Sequence, residues 1–154
     1  MKKLIIRVSY MLLISITLFS CDEDVETPPL AVESQIIDLV NEYRKSIGKP
    51  ELEMLSYISY ECRVHSKNMA QGAVSFGHDG FGERVERIKS NIGGGGASGE
   101  NVAYGYNSAK QVMEGWLNSS GHRANIEGNF SHIGIGAYQH NNGPVYYTQI
   151  FIKK

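Results

Sequence analysis

The chain has 154 residues, 42% hydrophobic and 20% charged, with 17 Gly and 4 Pro. That composition excludes a wholly disordered chain and a collagen, and the length suits one domain. Lys and Arg number 15 against 16 Asp and Glu, a net charge of -1, so no basic excess points to nucleic acid.

The N-terminus opens Met1-Lys2-Lys3 and runs into an apolar stretch that ends at Phe19. A basic start before a short apolar run is a secretory signal. The apolar core, Val8 to Phe19, spans about 18 Å as a helix, short of a ~30 Å hydrocarbon layer. The run stops at Leu18-Phe19-Ser20-Cys21, which resembles the lipobox of bacterial lipoproteins. That resemblance implies cleavage after residue 20 and a diacylated Cys21, two acyl chains being enough to hold a protein on a membrane. Residues 1–20 are therefore expected as a signal peptide. Their removal leaves 12 basic against 16 acidic residues, a net charge of -4 over 134 residues. Residues 21–31, with Asp22-Glu23-Asp24 and Thr27-Pro28-Pro29, are expected as an acidic and then stiff tether. The acidic stretch fits export to the surface in some Gram-negative bacteria and inner-membrane retention in others. Cys62 is then the one cysteine of the domain and cannot staple its own chain, so residues 32–154 must hold by their core.

Within 32–47, Ile36, Val40, Tyr43 and Ile47 form a helical stripe closed by Gly48. Leu55, Ile58, Cys62, Ser66 and Met69 form a second, closed by Gly72, which makes Cys62 a small buried hydrophobe. A short helix is expected over 83–89 and a Gly-rich connector over 91–99. Ser108 and Gln111 have the spacing of a capping box. The helix they open buries Val112, Met113, Trp116 and Leu117, and Ser119-Ser120-Gly121 reads as its end. His132 to Tyr138 alternates, with Gly134 and Gly136 leaving one strand face bare for close approach of another element. Asn141-Asn142-Gly143 is a hairpin turn signal and Val145 to Ile152 the returning strand. A further strand is expected near 101–106. Tyr104, Tyr106, Tyr138, Tyr146 and Tyr147 read as packing residues, with groove lining as the alternative.

Four ionisable residues stand beside glycines or helix ends: His78, Glu83, Glu100 and His122. Two imidazoles and two carboxylates suffice to hold a divalent metal or to move protons. Spacing alone does not join them. The ordered set Phe76-Gly77-His78, Gly99-Glu100-Asn101-Val102-Ala103, Trp116 to Ile126, His132 to Gly136 and Tyr147 to Phe151 resembles the CAP superfamily, or SCP-like extracellular domain, in its bacterial branch.

The resemblance implies an α+β fold, a three-layer α-β-α sandwich with a central antiparallel sheet, over residues 32–154. It also implies a cleft lined by His78, Glu83, Glu100 and His122. There His78 and His122 would bind zinc or another divalent metal, and Glu83 and Glu100 would stand beside it as orienting or catalytic carboxylates. Asn101 and Arg123 are expected to support that cleft. The disulfides of eukaryotic members are missing. Three functions stay open: a lipid-anchored envelope module that binds a ligand or partner, a metal-dependent hydrolase of peptide or cell-envelope bonds, and a structural envelope protein in which the four residues only stabilise the fold. The expected place is the cell envelope, anchored through Cys21 at the outer membrane or surface. A secreted or inner-membrane-retained chain is the alternative.

Overall fold

The computed structural model describes residues 29–154. The signal, the lipobox and most of the tether lie outside those residues. The element order is α1 (Pro29–Ser46), β1 (Glu53–Met54), α2 (Ser56–Ala70), α3 (Phe81–Ile92), β2 (Ser98–Tyr104), α4 (Ala109–Asn118), α5 (Ser120–Ile126), β3 (His132–Gln139) and β4 (Val145–Ile152). α1 starts at Pro29, inside the segment expected as tether. Proline has the φ of a first helical residue and no N–H to satisfy there.

The sheet runs in the order β1-β3-β4-β2. β2, β3 and β4 are antiparallel, as expected, with Asn101 opposite Gln149 and Gly136 opposite Thr148. The sheet is nonetheless mixed, because two-residue β1 adds to β3 in parallel.

Each strand face builds its own core. Ile133 and Ile135 of β3 and Tyr147 and Phe151 of β4 face a layer made of α1, α4 and α5, with Ile36, Val40, Val112, Trp116 and Ile126. The alternate residues Ile150 and Ile152 face α2 and α3, through Ile58, Cys62, Val85 and Ile88. This period-two sorting is what makes the sandwich three-layered. Gly134 and Gly136 face α2 so closely that a Cβ would overlap the backbone at Ile58–Ser59 and Cys62–Arg63. The bare strand face expected from the sequence is thus the seat of a helix. α1 is pinned at its C-terminal end by buried Arg44, which donates to the carbonyls of Pro50 (2.9 Å), Ile126 (2.7 Å) and Gly128 (2.9 Å).

Both borders of the sheet are stopped by side chains. Beyond β1, the N–H of Ile135 donates to Ser59 Oγ (3.2 Å) and that of Ala137 to Glu33 Oε1 (2.9 Å). On β2, the carbonyl of Glu100 accepts from Asn125 Nδ2 (3.0 Å) and that of Val102 from Trp116 Nε1 (3.3 Å).

Three local expectations differ from the fold. The helix expected over 83–89 is α3, extended at both ends between two glycines with positive φ, Gly80 and Gly93. Ser119-Ser120-Gly121 ends α4 but also starts α5, so Gly121 sits inside a helix. The strand expected near 101–106 is β2, three residues earlier at its start and two at its end. The capping at Ser108 is present, its Oγ accepting from Gln111 N (3.3 Å), while Gln111 Oε1 accepts from Asn107 N rather than from the cap residue.

Candidate functional site

The site gathers at the β2 border. Glu100 and Asn101 are adjacent on this strand and therefore point to opposite layers. Glu100 faces the α2–α3 layer and is 6% exposed. Its carboxylate accepts from Arg84, whose Nη2 lies 2.9 Å from Oε1 and 2.7 Å from Oε2, and whose Nε lies 3.1 Å from Oε2. Arg84 Nη1 also donates to the Asp79 carbonyl at 2.6 Å, tying the loop before α3 to its first turn. A buried carboxylate needs such a fork, because an unpaired charge there is costly.

His78 rides on that loop. Its Nδ1 donates to Glu100 Oε1 at 2.8 Å, while the side chain stays 54% exposed. The partner sets the tautomer: with the proton on Nδ1, the Nε2 lone pair is free for a ligand. The preceding carbonyl, Gly77, accepts from Nε2 of buried His65 at 2.9 Å. Burial holds the His65 imidazole below its ordinary value. The loop that carries His78 is thus fastened at Gly77 and at Asp79.

From the opposite layer, Asn101 donates to the His122 carbonyl (3.1 Å) and to Gln149 Oε1 (2.9 Å). Asn125 donates to Asn101 Oδ1 at 2.9 Å as well as to the Glu100 carbonyl. Bare Gly99 makes room for this, since a Cβ would run into the Asn125 amide. His122 stands on α5 near enough to His78 for their charges to oppose each other. Burial, and after it His78, lowers the His122 value and favours the neutral ring.

The structure therefore joins His78 to Glu100, while Asn101 ties down the backbone of His122 on α5. Glu83 lies in the first turn of α3, exposed, with no side-chain hydrogen bond among the described residues. Arg123 is exposed, and its charge is felt at the Tyr43–Glu127 pair, where the Tyr43 hydroxyl donates to Glu127 at 2.7 Å. The residues missed from the sequence are Arg84, Gln149 and the loop-holding role of His65. Arg84 carries no motif signal, and its partner stands 16 positions away.

The donor set fits a divalent ion only in a restricted way. Both Glu100 oxygens are already engaged, so this carboxylate orients an imidazole rather than ligating. Among the described residues no group of three or more His, Cys, Asp or Glu is placed to hold a metal. Two imidazoles remain, enough for a loosely held ion with open positions.

Comparison with known proteins agrees with this fold. The cysteine-rich secretory protein (CAP) family model matches residues 37–151. The uncharacterised protein YkwD of Bacillus subtilis is 33% identical over 127 residues, covering 80% of this chain and 48% of that protein. The uncharacterised membrane protein YlbC of the same bacterium is 34% identical over 125 residues, covering 79% of this chain and 34% of that protein. The chain thus spans a third to a half of the length of these relatives. An extracellular protein containing an SCP domain from Bacillus anthracis superposes with a TM-score of 0.70 at 32% identity, covering 82% of this chain and 41% of that one. By sequence and by fold, the chain belongs to the cysteine-rich secretory protein (CAP) family.

Proposed function

We propose that the chain is an exported module of the bacterial cell envelope, tethered through a lipidated Cys21, that binds a ligand or partner in the β2 cleft. A divalent ion on His78 and His122 would form the floor of that cleft. The observation that carries this reading is the 2.8 Å contact between buried Glu100 and half-exposed His78. It aims one ring nitrogen outward and fixes its tautomer, the usual second layer of an imidazole metal ligand. A bound zinc ion would supply a Lewis-acidic centre with open positions for an anionic or carbonyl group. The chain's own residues do the rest: Arg84 locks Glu100, Glu100 locks His78, and Asn101 locks the α5 backbone at His122.

Calorimetric titration with zinc tests it. We expect binding that His78→Ala or His122→Ala each weakens at least tenfold. Glu100→Gln should weaken it by about 10–100-fold, the usual effect of losing such a support. Unchanged affinity in the double histidine variant would refute the site.

A hydrolase is the second reading, and the same pair supports it, since a carboxylate-oriented imidazole is also a general base. The engagement of Glu100 by Arg84 favours binding over a mechanism in which two carboxylates exchange protons. Turnover of a peptide or cell-envelope substrate that is abolished by Glu100→Gln would reverse that preference.

A further inference from the structure

One end of the sandwich differs from the rest. It holds the β3–β4 turn, the loop after β2, the C-terminal end of α2 and the loop that follows it. Segments 71–78, 104–109 and 138–146 meet there and contain no Asp, Glu, Lys or Arg. Aromatic rings stand out instead. Phe76 is 48% and Tyr104 52% exposed. Their rings meet edge-on at 4.8 Å, and Tyr104 stacks on Tyr146, its cross-strand partner, at 5.5 Å. Exposed aromatic clusters of this kind mark a surface that something covers.

The chain's own geometry points to the cover. α1 runs antiparallel to β3, because Glu33 near its start bonds Ala137 N while Arg44 near its end reaches Pro50 and Gly128. The α1 N-terminus therefore emerges at the aromatic end. Cys21 stands eight positions before Pro29, so it lies within about 30 Å of that end however the segment runs. We infer that the aromatic end is a membrane-docking face, with Phe76, Tyr104 and Tyr146 seated in the headgroup layer. Uncharged amphipathic rings favour that layer, and the charge at this end is exposed Lys67 of α2, a cation 6.0 Å from the Tyr138 ring that suits anionic headgroups. His78 follows Phe76 by two residues and is half-exposed, so docking there would bring its ring near the bilayer surface.

The inference uses the lipid-anchor reading only for the tether, and the test separates the two. The mature chain from position 21 with Cys21→Ser carries no lipid, and both cores lie wholly within residues 32–154, so it keeps the fold. It is sedimented with vesicles of phosphatidylethanolamine and phosphatidylglycerol. We expect measurable partitioning that Phe76→Ser with Tyr104→Ser lowers at least tenfold, by loss of two ring insertions. Tyr60→Ser, which removes an equally exposed ring elsewhere on α2, should leave it unchanged. Absence of vesicle binding by the parent chain, or equal binding by the double variant, would overturn the inference. Binding to isolated cell-wall glycan that the double variant alone loses would also overturn it and give the face to a sugar.

Discussion

Glu100 and Asn101 are consecutive on β2 and serve opposite layers of the sandwich. Glu100 holds the α3-side imidazole through its side chain. Asn101 holds the α5 backbone at the other histidine. One strand thus ties down both histidine-bearing segments, which share the stiffness of the sheet.

The Arg84–Glu100 pair is the first place to test that stiffness. Arg84→Met strands a buried carboxylate, and we expect a loss of about 3–5 kcal/mol in urea denaturation. Combining it with Glu100→Leu should recover much of the loss, because removing both charges leaves nothing unpaired. Zinc affinity should stay low in the combined variant, since His78 then lacks its orienting carboxylate.

Gly136 and Gly82 make a matched comparison. A Cβ on Gly136 would overlap backbone atoms of Cys62 and Arg63, which cannot swing aside. We expect Gly136→Ala to cost about 1–3 kcal/mol or more. At Gly82, in the first turn of α3, a Cβ meets nothing within 4 Å. Gly82→Ala should stabilise by about 0.5–1 kcal/mol. Thermal denaturation of both variants gives the answer.

Acid should weaken the fold through His65. Burial lowers its value first, with Arg84 and His78 adding to this while the Gly77 bond and Glu100 oppose it. As pH falls through about 6.5, the unfolded imidazole takes up a proton and the folded one does not. The unfolded chain then binds more protons, so stability falls with pH until the folded value is reached. The slope from this group is at most about 1.4 kcal/mol per pH unit. His65→Gln keeps a donor for Gly77 and removes the titration. Its melting temperature between about pH 7 and about pH 5 should vary less than that of the parent.

Ser108→Ala removes the oxygen that caps α4 at Gln111 N. The expected cost is about 1 kcal/mol, visible as a shifted urea midpoint with an unchanged slope.

Where a pattern is local, the sequence carried it to the structure. Gly134 and Gly136 alternate with apolar residues and mark the helix seat. Asn141 and Asn142 take φ of 47 and 55, as the turn signal requires. α5 was hidden because its seven residues are too few for periodicity and its Ser-Ser-Gly start reads as a stop. β1 was hidden because two residues carry no alternation. In the site, Glu100 and the two histidines were marked through the family resemblance. The partners Arg84 and Gln149 were not, since each depends on which strand face meets which helix. The aromatic residues split in the same way. Tyr147 is core, as packing predicts, and Tyr104 is half in solvent.

The plugged borders of the sheet bear on how such domains live at high density. At high concentration a bare ladder would invite neighbours to zip together. Here Ser59, Glu33, Asn125 and Trp116 occupy main-chain sites that an incoming strand would need. Those four groups are denied to a neighbouring copy, which lowers the propensity of concentrated protein to add strand to strand.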